Sequence, residues 1–215
     1  MASPHKTPEA SFALEDGFEG LVCGIDEVGR GPLAGPIVAA CVIIPKKMRT
    51  LDFVTHIKDS KKLNLKKRLM LYQAITSHLP YAISELSPAD IDKHNILQAS
   101  LLAMTKAHNT ILKKQNIKLT HALIDGNKLP VISTPASAII KGDSKSKTIA
   151  AASIIAKVHR DKIMDALSCE FPEYGWERNA GYPTKEHKQA LIHCGITPHH
   201  RRSFAPVRKI IESAQ

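Results

Sequence analysis

The chain has 215 residues, 43% of them hydrophobic and 23% charged, with 11 Gly and 13 Pro. This composition excludes collagen-like, wholly disordered and coiled-coil classes, and a chain of this length buries enough surface to fold without a disulfide or structural metal. Lys and Arg number 30 against 20 Asp and Glu, a net charge of +10, which favours a polyanionic partner such as nucleic acid, or an anionic membrane surface.

Residues 1–18 are polar and Pro-containing and are expected to form a flexible N-terminal extension without a signal-peptide pattern. Strands are predicted over Leu21–Val28 and Pro36–Pro45, joined by the Gly- and Pro-rich segment GRGPLAG. Asn64 caps a predicted helix (LKKRLMLYQAITSHL) with Leu65, Leu69, Tyr72 and Ile75 on one face. A strand over Tyr81–Leu86 precedes a helix start at Ser87-Pro88, and Ile96–Lys114 is a longer amphipathic helix. Strands over Leu119–Ile124, closing on Asp125, and over Ala136–Lys141 precede a helix over Thr148–Leu167. Helices over Thr184–His193 and Phe204–Ser213 end the chain. This alternation implies an α/β or α+β protein with a mixed sheet and a helical C-terminal part. No apolar run reaches the length of a membrane span. Cys23, Cys41, Cys169 and Cys194 form no CxxC pair, so a reduced, cytoplasmic protein is expected.

Four acids draw attention. Asp26 and Glu27 lie in an apolar strand (GIDEVG), Asp125 ends another (HALIDGN), and Asp143 stands at a strand-to-helix junction (KGDSKSK). Each alone has an ordinary reading as a turn, cap or ion-paired residue. Together in a basic chain they suit a hard divalent cation, and two Mg²⁺ ions so held would serve phosphodiester hydrolysis. Neighbouring strand residues point to opposite faces, so Asp26 and Glu27 can share a site only if the chain bends, which Gly29 and Gly31 would permit. Asp161, beside Arg160 in a helix, is expected to form a local ion pair. Arg30 sits between glycines that let backbone approach a ligand closely; the pattern is neither GxGxxG nor a Walker loop. Residues 57–68 carry six basic residues against one acid, and KGDSKSK and HHRRSF are also basic. A single charge run is usually a solvated face, but three of them point to a phosphate-binding surface. Aromatics are scarce, at 5%, and give only weak support to a base-stacking single-strand platform.

The ordered segments GIDEVGRGPLAGP, DSKKL, LIDGN, KGDSKS, AASIIAKVHRD, FPEYGW, GYPT and HHRRSF resemble bacterial ribonuclease HII over about residues 20–208. The resemblance implies a ribonuclease H-like catalytic domain over 19–170, with a central mixed sheet flanked by helices, and a small helical subdomain over 171–215. It implies an endonuclease that hydrolyses RNA in RNA–DNA hybrids and cleaves 5′ of ribonucleotides embedded in duplex DNA, leaving a 3′-hydroxyl and a 5′-phosphate, with roles in ribonucleotide excision, replication and repair. Asp26, Glu27, Asp125 and Asp143 match its metal-binding acids, with Mg²⁺ or Mn²⁺ as cofactor and two ions during catalysis. Asp161 matches a supporting acid. Gly29, Arg30 and Gly31 match the tripeptide that senses the ribose 2′-hydroxyl, and Tyr182 matches the tyrosine that packs on the adjacent deoxyribose. Lys58, Lys61, Lys62 and Lys141 are candidate phosphate contacts. A monomer with nucleic-acid partners and no membrane association is expected. A different ribonuclease H-like nuclease and a non-catalytic nucleic-acid-binding protein are the competing readings; the acidic residues disfavour the second, because clustered acids repel phosphate.

Overall fold

The computed structural model describes residues 9–213. Its strands are β1 (Val22–Val28), β2 (Ile37–Ile43), β3 (Tyr81–Leu86), β4 (His121–Asp125) and β5 (Ala136–Ile139). They form one sheet in the order β3-β2-β1-β4-β5. The pairs β1–β2 and β2–β3 are antiparallel, whereas β1–β4 and β4–β5 are parallel. The helices are α1 (Asp52–Thr55), α2 (Leu65–His78), α3 (Pro88–Gln115), α4 (Lys147–Glu170), α5 (Trp176–Asn179), α6 (Lys185–Cys194) and α7 (Ala205–Ser213). None of the described helices is long and apolar enough to cross a membrane.

Every residue of β2 is buried. Its alternate side chains divide between two cores: Val38, Ala40 and Val42 meet α2 and α4, and Ile37, Ala39, Cys41 and Ile43 meet α3. A strand covered on both faces has no polar side to show, hence its unbroken apolar run. The helix caps are those expected. The Asn64 side chain accepts from the Lys67 N–H, and Ser87 and Asp90 form a reciprocal capping box with Pro88 at the first helical position. The break before Ile96 is a kink at Asn95 (φ 61°, ψ 163°), whose side chain caps the second segment by accepting from the Leu97 and Gln98 N–H groups.

Two expectations are corrected here. On α2 the buried residues are Leu71 and Ile75, while Leu65 and Leu69 are exposed. Apolar residues lie on more than one side of this helix, and packing against α4 selects which side is covered. Within the expected flexible extension the chain packs from Ala10 onward; residues 1–8 lie outside the described part. Ala10 joins a core, and the Glu15 side chain is buried, accepting from the Ser146 hydroxyl, the Thr148 N–H and the Thr148 hydroxyl. A carboxylate there satisfies donors at the N-terminus of α4 and complements its dipole.

The start of α4 is pressed onto β1. A Cβ on Gly24 would lie 2.2 Å from the Thr148 carbonyl carbon and 2.3 Å from the Ile149 nitrogen, so only glycine permits the approach. The alanines Ala150, Ala151 and Ala152 continue the close contact. This brings the turn preceding α4, which contains Asp143, down to the ends of β1 and β4. The C-terminal helices pack through Trp176, Leu191 and Val207 on Leu33, Ala34 and Met164, so they are seated directly on the loop between β1 and β2.

Candidate active site

The parallel pairing of β1 and β4 aligns Ile25 with Ile124. The next residues, Asp26 and Asp125, are therefore neighbours at the same level of adjacent strands. Asp125 accepts from the Gly142 N–H at 2.6 Å, which ties the turn Gly142–Ser144, and with it Asp143, to the end of β4. Asp26 is 6% and Asp143 7% exposed. The Asp26 carboxyl is held well above its usual range, first by burial and then by the charges of Glu27, Asp125 and Asp143. The Asp143 carboxyl is raised by burial and by Asp59 and Asp125, against the opposing pull of Lys61. Burial also raises Glu27, with Asp125 adding to the rise and Arg30 opposing it.

Asp26 and Glu27 are brought together differently from expectation. The backbone does not bend between them: β1 stays in register with β2 through Val28, with Asp26 opposite Ala40 and Glu27 opposite Ala39. Their side chains leave on opposite faces. In the parallel register Glu27 lies one level beyond Asp125, the last residue of β4. The positive-φ turn comes later, at Gly29 (φ 102°). The four acids thus lie in one electrostatic neighbourhood, although among the described residues no three Asp, Glu, His or Cys groups are closed into a metal cage. Bare carboxylates repel, and a divalent cation between them would relieve that repulsion. The residues fit such an ion: Glu27 Oε2 is buried without a hydrogen-bond partner, and all four groups are oxygen donors of the kind Mg²⁺ and Mn²⁺ take.

The basic residues sort into distinct roles. Lys61 lies 3.5 Å from Asp143 and belongs to the acidic site as a counter-charge. Its segment is anchored by a Ser60–Ser153 hydroxyl contact at 2.8 Å. Lys62 and Lys141 are exposed and Lys58 is half-buried. The HHRRSF run is not a basic face throughout, because His200 and Arg201 are buried. Asp161 pairs with Lys157 at 2.6 Å and Arg68 at 3.7 Å. Arg160 is not its partner: that guanidinium turns inward and donates to the carbonyls of Pro36, Ala34 and Ala180. Arg160 occupies the buried stripe Ala156–Arg160–Met164 at four-residue spacing, and an arginine in such a stripe was a readable sign of a buried role.

The Gly29–Gly31 loop adjoins the acids through an Arg30–Glu27 ion pair at 3.6 Å. Tyr182 flanks it, its ring so near that a Cβ on Gly31 would lie 3.3 Å from Cε1. The backbone at Tyr182 is fixed from below. His187 Nδ1 bonds the Tyr182 carbonyl at 3.0 Å, while His187 Nε2 lies 3.2 Å from Trp176 Nε1 and 3.0 Å from His200 Nε2. His200 Nδ1 accepts from the Thr197 N–H, so His200 donates through Nε2, and His187 accepts there and donates through Nδ1. Each ring is neutral in this chain of bonds. Burial, reinforced by neighbouring imidazoles, pushes His200 down to about 3, and burial lowers His187. Nothing in the sequence pattern signalled this network or Glu15.

The family model described as ribonuclease HII matches residues 23–207. A ribonuclease HII of Ruegeria sp. (strain TM1040) is 50% identical over 88% of this chain and 80% of its own. That of Paramagnetospirillum magneticum is 48% identical over 91% of this chain and 96% of its own. Among solved structures, the ribonuclease H2 of Pyrococcus horikoshii OT3 superposes with a TM-score of 0.74 at 28% identity, covering 90% of this chain and 98% of that one.

Proposed function

The chain belongs to the ribonuclease HII family and is a ribonuclease H hydrolase, and from that premise we propose that it cleaves the RNA strand of RNA–DNA hybrids and cuts duplex DNA 5′ of embedded ribonucleotides, leaving a 3′-hydroxyl and a 5′-phosphate. The observation that carries this reading is the juxtaposition of a repelling, buried acid cluster with a glycine-flanked loop that displays backbone to solvent.

Asp26, Glu27, Asp125 and Asp143 hold Mg²⁺ or Mn²⁺, and Lys61 balances the cluster when metal is absent. Two ions held by these carboxylates would supply Lewis-acid activation of a water and charge stabilisation at the leaving oxygen. The chain's own residues do the rest. Gly29, Arg30 and Gly31 contact the 2′-hydroxyl, the one group that separates RNA from DNA at a single nucleotide. Because backbone groups make that contact, base identity is not read. Tyr182 packs on the neighbouring deoxyribose. Lys62, Lys141 and Lys58 engage phosphates, which position the duplex without reading sequence. We assign catalysis to residues 19–170 and treat 171–215 as a helical subdomain that presents Tyr182. The protein acts as a cytoplasmic monomer on nucleic acid.

The test is a duplex with one embedded ribonucleotide, incubated with and without Mg²⁺ beside an all-DNA duplex. The expected result is a Mg²⁺-dependent cut 5′ of the ribonucleotide, absent from all-DNA, and lost in Asp125→Asn with duplex affinity retained. Cleavage of both duplexes alike, or near-normal turnover by Asp125→Asn, refutes the assignment.

A further inference from the structure

Arg201 is 0% exposed, yet no carboxylate among the described residues forms a salt bridge with it. A buried cation without an acid needs another reason to be there. Its guanidinium donates to backbone carbonyls of the β1–β2 loop: Gly29 at 2.6 Å, Arg30 at 3.2 Å, Gly35 at 2.9 Å and Pro36 at 3.2 Å. Arg160 holds the far side of the same loop, sharing the Pro36 carbonyl and adding that of Ala34. Arg201 therefore spends its donors on loop backbone, and Arg160 divides its own between that loop and the Ala180 carbonyl.

Peptide planarity turns these bonds into a statement about the opposite side of the loop. All described peptide bonds are trans, so each carbonyl and the following N–H point in opposite directions. With the Gly29 and Arg30 carbonyls drawn down to Arg201, the N–H groups of Arg30 and Gly31 are turned up. No protein acceptor takes either N–H among the described residues, and both residues are exposed. The Arg30–Glu27 pair sets this face beside the acids, and the Tyr182 ring bounds its other side. Gly29 fits over the clamp only without a side chain, since a Cβ would lie 2.5 Å from Arg160 Nε.

We propose that Arg201 is a positioning residue for sugar recognition: by holding the Gly29 and Arg30 carbonyls inward, it presents the Arg30 and Gly31 N–H groups as paired donors to the ribose O2′. The inference rests on the loop's proposed role as sugar sensor. Lysine is a poor substitute, because an ammonium lacks the planar fork that spans several carbonyls at once.

The experiment compares wild type, Arg201→Lys, Gly31→Ala and Ile75→Ala. Ile75 is a core residue on α2, away from the loop, and serves as a control for general destabilisation, with the melting temperature of each variant measured alongside. All are assayed below the lowest melting temperature on a duplex with one embedded ribonucleotide. Amide exchange at Arg30 and Gly31 is followed alongside. Arg201→Lys is expected to lower kcat at least tenfold and to speed exchange at those two amides, with KM and duplex affinity within twofold of wild type. Ile75→Ala is expected to keep kcat. A kcat within twofold of wild type in Arg201→Lys, while Gly31→Ala is impaired, overturns the positioning role and leaves the sensor intact. Unimpaired cleavage by Gly31→Ala removes the sensor and with it this inference. Should Arg201→Lys fail to fold, Arg201→Gln, which removes the buried charge and keeps two donors, is read by the same criteria.

Discussion

Replacing Asp26 by asparagine should make the metal-free protein more stable while destroying its activity. Asp26 is almost fully buried in β1 and adjoins Asp125 across the parallel pairing with β4. Adjacent strands run about 4.8 Å apart, and two unit charges at about 5 Å repel by about 3 kcal/mol at an effective dielectric near 20. Asp26 relieves some of this repulsion by holding its proton, since burial and the charges of Glu27, Asp125 and Asp143 raise its carboxyl well above the usual range. The part of that repulsion left at neutral pH is about 1–3 kcal/mol on the same Coulomb estimate. Asparagine keeps the shape, and its carbonyl oxygen can still accept the Glu27 N–H that Asp26 accepts at 2.7 Å. For a chain of this size the gain is a rise of about 2–12 °C in Tm. A raised carboxyl disfavours the folded state only once the unfolded chain ionises, so the gain should vanish near pH 4 and grow as pH increases. Thermal melts in EDTA and in excess Mg²⁺ measure both arms. Wild type should gain more from Mg²⁺ than the variant, because stabilisation by a ligand rises with the logarithm of its affinity for the folded state. An Asp26→Asn protein that melts at or below the wild-type temperature in EDTA at pH 8, or gains equally from Mg²⁺, refutes the reasoning.

Tyr182→Ala should slow cleavage at a single RNA–DNA junction more than within a continuous hybrid, and equal losses on the two substrates remove Tyr182 from junction recognition. Gly24→Ala should cost about 3 kcal/mol or more, because its Cβ would overlap the backbone of α4 at Thr148; urea unfolding gives the value, and a loss under about 1 kcal/mol shows that the helix can shift without cost. The His187–His200 network makes stability fall in acid. Both imidazoles are lowered below the unfolded value near 6.5, so the unfolded chain takes up protons first. Stability is therefore full above about pH 6.5 and declines below it by up to about 1.4 kcal/mol per pH unit for each ring. Urea melts at pH 7 and pH 5 should show the decline, and His200→Gln should flatten it; an unchanged slope places the acid sensitivity elsewhere.

Local chemistry was readable from the chain alone. The continuous apolar run of β2, the caps Asn64 and Ser87, and the ends of the longer helices follow from short-range rules. So does the suspicion attached to Asp26, Asp125 and Asp143, since carboxylates at strand ends amid excess positive charge invite a common explanation. Which charges meet could not be read in this way. Lys61 and Asp143 are 82 residues apart and meet because Ser60 anchors one segment on α4 while Gly142 ties the other to Asp125. Arg160 and Asp161 are neighbours in sequence but part company on the helix: Asp161 faces outward to Lys157 and Arg68, and Arg160 faces the β1–β2 loop. The same holds for Arg201, which looks like part of a basic surface until the fold buries it under the carbonyls of residues 29–36. A side chain's charge is a property of the sequence, but its partner and burial depend on which backbone groups the folded chain leaves without donors beside it.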